Sequence, residues 1–175
     1  MKSLTNTSDV IESWAAQDRP KGKAGTVSFD GPRLFSYQTP VAAILTRTVD
    51  AHAPLRLCIT TYRRFSVTTS GHIAAARSAA AMAGLPSIAV ASIDAPLDHQ
   101  RNLLGIAEDA MSHLRKAAKA RVHREGHNGR ARKRLLELNL YAKFHGLAHH
   151  VPVSDHRLPE LLEDFIGQLQ ASETA

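Results

Sequence analysis

Apolar and polar residues alternate with a period of two in four stretches of the N-terminal half, which predicts β-strands. These stretches are residues 26–30, 34–37, 41–48 and 55–61, and a short apolar run at 87–93 predicts one more strand. The sequence Asp30-Gly31-Pro32 predicts a tight turn between the first two. The pattern therefore predicts a small antiparallel sheet of three to five strands.

Two segments of the same half have helical spacing instead. Residues 9–17 form the first, with Asp9 as its predicted cap, and residues 71–83 form the second, with Thr69 or Ser70 as its predicted cap. Gly84 and Pro86 are expected to end the second helix. Helices packed on a sheet place the chain in the α+β fold class.

From about residue 94, apolar residues recur every three or four positions, which predicts helices almost to the end of the chain. One helix is predicted over residues 130–144, with Leu136, Leu140 and Phe144 facing inward and Gly146 as its stop, and another over 158–170. We therefore divide the chain into an α+β part, residues 1–93, and a helical part, residues 94–175. The two parts are expected to pack as one globular unit.

The tetrapeptide Gly126-His127-Asn128-Gly129 leaves two geometries open in the helical part, because glycine and Asn-Gly pairs weaken helices and favour turns. In an αα-hairpin that turns at this tetrapeptide, the following segment is the second helix, as in the outline of a helix-turn-helix. In an unbroken helix, six residues share one narrow stripe. These residues are Lys116, Lys119, His123, His127, Arg130 and Arg134.

Positive charge is concentrated in residues 115–134, which hold nine Lys or Arg and one acid, Glu125. The segment carries a charge of +8, whereas the whole chain carries +6, so the remainder is slightly acidic. Clustered cations favour a polyanion, because binding releases the counterions condensed on its phosphates. We predict a nucleic-acid site, DNA or RNA, formed by Arg115, Lys116, Lys119, Arg121, Arg124, Arg130, Arg132, Lys133 and Arg134.

Three other interpretations of the basic segment stay open. It is a solvated face that keeps the protein soluble, a docking surface for the acidic segment 155–175, or a contact for a protein with an acidic surface. No aromatic residue is interleaved in the segment, so base stacking is not indicated there. We therefore expect contacts to phosphates largely without sequence readout.

The junction around residues 63–72 predicts a candidate anion site, since a strand there is followed by a helix start. Its residues are Arg63, Arg64, Thr69 and Ser70. The alternative is that Thr69 and Ser70 only cap the helix and that His72 packs locally. A small enzyme that uses Ser70 and His72 is a further alternative, although no GxSxG, P-loop, GxGxxG or CxxC motif is present.

No metal site, cofactor or catalytic residue is predicted. His123 with His127, and His145 with His149 or His150, have the spacing of helical metal ligands, but Zn²⁺ needs a third and usually a fourth ligand. The single cysteine, Cys58, is expected to be a buried and inert thiol. With no leader-like or membrane-spanning run in the sequence, we expect a cytoplasmic protein without a membrane partner.

Two segments together resemble a module found in uncharacterised proteins of phages and plasmids. The first is Phe29-Asp30-Gly31-Pro32-Arg33-Leu34-Phe35-Ser36-Tyr37 followed by Val41-Ala42, and the second is Phe65-Ser66-Val67-Thr68-Thr69-Ser70-Gly71-His72. No activity is assigned to the module. The resemblance implies a small sheet followed by a helix, and a mobile genetic element as the source of the chain.

Charge and resemblance together favour an accessory protein of a mobile genetic element that binds nucleic acid. The alternative is an inhibitor that binds a host defence protein complex. Mimicry of DNA is excluded, because a mimic of the phosphate backbone must be acidic.

Overall fold

The computed structural model describes residues 4–48, 54–63, 65–94, 96–153 and 157–173. It contains two compact units, Met1–Leu97 and Asp98–Ala175, called here the N-terminal and C-terminal units. Arg64 lies outside the described residues. The expectation that the two parts of the chain pack as one globular unit stays a prediction.

The N-terminal unit is a six-stranded sheet with two helices. Its elements are α1 (Thr7–Ala16), β1 (Lys21–Ala24), β2 (Val27–Asp30), β3 (Arg33–Ser36), β4 (Thr39–Arg47), β5 (Leu55–Thr61), α2 (Val67–Met82) and β6 (Ser87–Val90). The α+β class is confirmed. The strands lie side by side in chain order, and β2 and β3 meet at the predicted turn, where Gly31 has a φ of 51°.

The sheet is mixed and larger than predicted. Neighbouring strands from β1 to β5 are antiparallel, but β5 and β6 are parallel. The prediction of a purely antiparallel sheet is therefore wrong at β6. The physical reason is the connection between the two strands. Helix α2 returns the chain to the end of the sheet at which β5 begins, so β6 runs in the same direction as β5.

The strand missing from the prediction is β1. Its sequence, Lys-Gly-Lys-Ala, has no alternation of large apolar residues, and Lys21 and Lys23 are both exposed. Pairing with β2 fixes it as a strand, with Gly22 opposite Phe29. A side chain at Gly22 would collide with Leu4 and the Phe29 ring, so this glycine lets two apolar residues cover the strand.

The core of the N-terminal unit lies between the sheet and its helices, which both contact β-strands. Trp14 of α1 is fully buried there, and its Nε1 donates a hydrogen bond of 2.7 Å to the Pro32 carbonyl oxygen. Helix α2 presents Ala76 and Ala80, which lets it lie close to the strands. Cys58 is fully buried, and burial raises the pKa of its thiol to about 12, which confirms an inert thiol.

Both helices of this unit begin earlier than predicted. Asn6 caps α1 by accepting a hydrogen bond of 2.9 Å from the Asp9 backbone N–H. Ser66 caps α2 in the same way, accepting a bond of 3.3 Å from the Thr69 N–H. Asp9 and Thr69 are therefore the third residues of their helices, where side chains support the cap.

The C-terminal unit consists of α3 (His99–Lys119), α4 (Arg124–His145) and α5 (Leu158–Glu173). Helices α3 and α4 form an antiparallel hairpin. Far from their connection, His99 Nδ1 lies 3.0 Å from the Tyr141 hydroxyl. Near the connection, the rings of His113 and His127 are 5.8 Å apart. Helix α5 packs on α3, where Gln100 Nε2 donates a bond of 2.5 Å to the Leu169 carbonyl.

The connection between α3 and α4 is residues 120–123, so the tetrapeptide 126–129 neither turns the chain nor continues α3. Of the two geometries left open, the structure has the hairpin, but its turn lies at residues 120–123 rather than at the tetrapeptide. The reversal uses His123, whose φ is 65°. Both Gly126 and Gly129 lie inside α4, because packing of this helix outweighs their preference for a turn. Four small or aliphatic residues of α4 are buried along one stripe. They are Ala131, Leu135, Leu138 and Ala142.

The inward face of α4 also differs from the predicted one. Leu136 and Leu140 are exposed, and only Phe144 of the predicted trio is buried. The sequence contains two apolar stripes with helical spacing, and the stripe with the smaller residues faces α3. The predicted stop is confirmed, because α4 ends at His145 and Gly146 has a φ of 68°. No helix in the described part of the chain is long and apolar enough to cross a membrane.

We predict that Gly129→Ala stabilises the protein by about 0.5–1 kcal/mol, because alanine favours a helix interior more than glycine does. A Cβ at Gly129 meets no atom within 4 Å. Urea unfolding followed by circular dichroism measures the change. Gly146→Ala is the control in the same unit, and its positive φ should make that substitution destabilising. A destabilised Gly129→Ala protein would instead put a turn at residues 126–129.

Candidate nucleic-acid interface

Eight of the nine predicted basic residues lie exposed at one end of the α3–α4 hairpin. They occupy the last two turns of α3, the connection and the first three turns of α4, which an antiparallel hairpin brings to the same end. We call these eight residues the basic tip: Arg115, Lys116, Lys119, Arg121, Arg124, Arg130, Arg132 and Lys133.

Arg134 is the ninth residue, and it lies elsewhere. It is 8% exposed and faces α3. Its Nε lies 2.8 Å from Asp109 Oδ2, and its guanidinium also pairs with Glu137 on the next turn of α4. Two carboxylates therefore neutralise Arg134, and we assign it to the hairpin interior rather than to the interface.

Among the described residues, two of the eight cations of the basic tip have a carboxylate partner. Arg115 Nη2 lies 3.3 Å from Glu163 Oε1 on α5, and Lys133 Nζ lies 4.0 Å from Glu137 Oε1. Both pairs involve strongly exposed cations and contribute little stability. Within the described ranges, the other six residues form no ion pair. In its described residues, the acidic C-terminal segment contacts the tip through one exposed ion pair, Arg115 with Glu163.

A groove of about 480 Å³ lies on the α3 side of the basic tip. Arg115, Lys116 and Lys119 line it from α3, and His127 lines it from α4. Ser112 and Ala120 complete its wall, and Glu108 is its one carboxylate. The side chains supply several N–H donors and one hydroxyl, and the fixed charges are mainly positive, so the groove suits an anion such as a phosphate group.

His127, which lines the groove, packs against His113 of α3. Their ring planes are inclined by 32° at 5.8 Å. Nδ1 of each ring is buried and has no hydrogen-bond partner among the described residues. Burial lowers the pKa of His113 below its ordinary value of 6.5, and neighbouring Lys116, Arg130 and His127 lower it further, against the opposing effect of Asp109. His113 is therefore neutral at neutral pH.

At the predicted anion site, the backbone N–H groups of Thr69 and Ser70 are already engaged. The Thr69 N–H donates to Ser66 Oγ, and the Ser70 N–H donates 2.9 Å to the Ser66 carbonyl. These bonds use the backbone donors that an anion would need at those two residues. Arg63 is exposed after β5, and the predicted partner Arg64 falls outside the described residues.

His72 is joined to Ser36 rather than to Ser70. Ser36 Oγ at the end of β3 lies 2.8 Å from His72 Nδ1 and 3.2 Å from Thr69 Oγ1, and Ser66 Oγ bonds Thr69 in turn. Ser36 is 1% exposed, so this chain of hydroxyls is an interior link between β3 and α2. Ser36 was not among the predicted site residues. It lies in the first segment of the resemblance and His72 lies in the second, so the co-occurrence of the two segments was the available signal.

His99 and His145, at the other end of the hairpin, pack with other rings. His145 lies against His99 and Tyr141, with centroid distances of 4.3 and 4.5 Å. Asn102, which is fully buried, donates 3.0 Å to the Tyr141 hydroxyl. Within the described residues, no group of three or more potential ligands is placed to hold a metal ion.

Comparison with known proteins gives no match: no family model, no curated protein and no solved structure corresponds to the chain.

The buried and exposed arginines of α4 should behave in opposite ways. Arg134→Gln should destabilise the protein by about 2 kcal/mol, because it removes the buried cation that Asp109 and Glu137 share. Arg132→Gln, two residues earlier and exposed, should change stability by less than about 0.5 kcal/mol. Urea unfolding measures both. Equal stability of the two variants would contradict the interior role of Arg134.

The N-terminal unit should lose stability in mild acid through His72. Burial lowers the pKa of His72 below 6.5, so between that lowered value and 6.5 the unfolded chain binds a proton that the folded unit does not. Stability therefore falls as the pH drops below about 6.5, and the fall ends once the pH is below the lowered pKa of His72. The single tryptophan, Trp14, reports unfolding of this unit by fluorescence. His72→Gln should flatten this pH dependence, and an unchanged slope would show that His72 does not cause it.

Proposed function

We propose that the protein binds nucleic acid through the basic tip and contacts phosphates largely without reading the sequence. The observation that carries this proposal is the exposed cluster of eight cations, six of which have no carboxylate partner within the described ranges. Like charges held together repel one another, so an unneutralised cluster costs stability in the free protein. A polyanion removes that repulsion and releases its own counterions.

The distribution of the cations favours phosphate contacts over base contacts. They come from both helices and from the connection rather than from one face of one helix. A helix-turn-helix sets its second helix across the first and inserts it into the major groove, whereas α3 and α4 run antiparallel along their length. Flexible Lys and Arg side chains around a blunt hairpin end suit the backbone of a duplex or of a single strand.

The cellular role that we propose is that of an accessory protein of a phage or plasmid. The support for it is the resemblance of residues 29–37, 41–42 and 65–72 to a module of such proteins. Binding without sequence readout fits a protein that must act on many different DNA or RNA sequences.

The decisive experiment measures affinity for random duplex DNA, single-stranded DNA and RNA as the salt concentration rises. For duplex DNA, log K should fall linearly with log salt, by about 0.9 for each phosphate contacted. Arg130→Gln combined with Arg132→Gln should weaken binding to every sequence alike and reduce the slope by about 1.8.

The matched control is Arg33→Gln combined with Arg101→Gln. It removes the same charge from two exposed arginines outside the basic tip, so affinity and slope should change little. Equal losses in the two double variants would mean that net charge, and not the tip, governs binding. A folded wild-type protein that binds none of the three nucleic acids would contradict the proposal and favour an inhibitor that binds a host protein.

A further inference from the structure

Three aromatic residues lie at one edge of the sheet in the N-terminal unit. Tyr37 is in the turn between β3 and β4, Tyr62 directly follows β5, and Phe65 precedes α2. Strands β3 and β5 end at this edge, and so does β6, because it runs parallel to β5. Tyr37 is 57% exposed and Tyr62 is 44% exposed, the highest values for aromatic side chains among the described residues. We call Tyr37, Tyr62, Arg63 and Phe65 the aromatic edge.

The backbone of Tyr37 has an unfavourable conformation, with a φ of 57° in the left-handed region. Glycine and asparagine adopt this conformation at a lower cost than a bulky side chain does. The turn itself is held by other groups, since the Tyr37 N–H donates to the Thr26 carbonyl oxygen and Ser36 Oγ contacts His72 Nδ1. Burial of the exposed ring does not offset the strain. Strain of this kind is typical of ligand sites, where the side chain serves a partner.

A pocket of about 110 Å³ lies at the same edge, where the carboxyl ends of the parallel strands β5 and β6 are neighbours. The chain leaves such strand ends in different directions, which makes them a common place for ligands. Thr39 and Thr61 line the pocket with hydroxyl groups, Phe65 lines it with a ring, and Arg63 and Asp94 line it with opposite charges. Its volume is the share of about four molecules in liquid water, so it suits one flat ring rather than a whole nucleotide.

The chemistry of the pocket fits a nucleic-acid base better than a phosphate. The Asp94 carboxylate repels a phosphate, whereas it accepts hydrogen bonds from the amino group of a base. Aromatic rings stack on bases of any sequence, and an exposed arginine such as Arg63 supplies charge for the adjoining backbone. Bases inside a duplex are not accessible to such rings, so the ligand must be single-stranded.

We propose that the aromatic edge binds unpaired bases of single-stranded nucleic acid. One base enters the pocket against Phe65, and its neighbours stack on the exposed rings of Tyr37 and Tyr62. The inference rests on the proposed function for the class of ligand, and it adds a second site with a preference for single strands. Arg63, which the sequence predicted as part of an anion site, here contacts the backbone beside the stacked bases.

Two single strands of equal length and charge separate base contacts from phosphate contacts. One is oligo(dC), whose bases carry the amino group that Asp94 can accept from, and the other is a stable abasic analogue. The wild-type protein should bind oligo(dC) about tenfold more tightly, because stacking contributes on this order for each base. Fluorescence anisotropy of end-labelled strands with the full chain measures both affinities.

Tyr37→Asn combined with Phe65→Leu removes two rings with little disturbance of the fold. Asparagine tolerates the positive φ, and leucine keeps an apolar side chain where Phe65 packs partly on the core. This double variant should bind oligo(dC) only as tightly as the abasic strand, with unchanged affinity for the abasic strand. Leu55→Asn combined with Met82→Ala is the matched control. It changes two exposed apolar residues at the opposite edge and should behave as the wild type.

The outcomes distinguish this site from the basic tip. Arg130→Gln combined with Arg132→Gln should weaken binding of both strands and keep the preference for oligo(dC). Tyr37→Asn alone, which changes one exposed ring, should give an intermediate preference, and Trp14 fluorescence shows that each variant is folded. Equal affinity of the wild type for the two strands, or a preference that survives in the folded double variant, would overturn this inference alone. Absence of binding to either strand would overturn the proposed function as well.

Discussion

Close packing of α3 against α4 is the constraint on which the rest of the C-terminal unit depends. Both helices bury small residues, Ala110 and Ala117 in α3 and Ala131 and Ala142 in α4, which allow the helix backbones to approach. This packing sets the register of the hairpin and therefore places Asp109 beside Arg134. It also determines where the chain reverses, so the exposed cations lie at one end of the hairpin. The same packing buries Arg134.

Some of these features depend on the local sequence and others on tertiary packing. The charge of residues 115–134 is a property of composition, and the sequence alone locates it. The position of the turn is not local, because Gly126 and Gly129 favour a turn by their own propensity and packing against α3 outweighs it. The role of Arg134 follows from the same packing. Its neighbours are equally basic, and only the phase of α4 directs one of them inward.

The N-terminal unit also has some features that depend on local sequence and others that depend on neighbouring elements. The apolar residues of β4 and β5 mark both strands in the sequence, and both were predicted, whereas Lys21 and Gly22 of β1 carry no such signal and depend on the neighbouring strand. The parallel placement of β6 follows from α2 rather than from its own four residues. Ser36 and His72 are 36 positions apart, so their hydrogen bond depends on the docking of a helix on a hairpin. Periodicity cannot reveal a contact of that kind.

Strand β1 also bears on how molecules of this protein meet one another. It ends the sheet, and among the described strands it pairs with β2 alone, so its outer edge presents main-chain donors and acceptors. An open edge is a template on which a strand of a second molecule can add, the first step of aggregation. Lys21 and Lys23 are two exposed charges in a strand of four residues, and a second copy would bring the same two charges against them. The two lysines, because of which β1 has no apolar alternation, thus oppose the addition of a second molecule to this edge of the sheet.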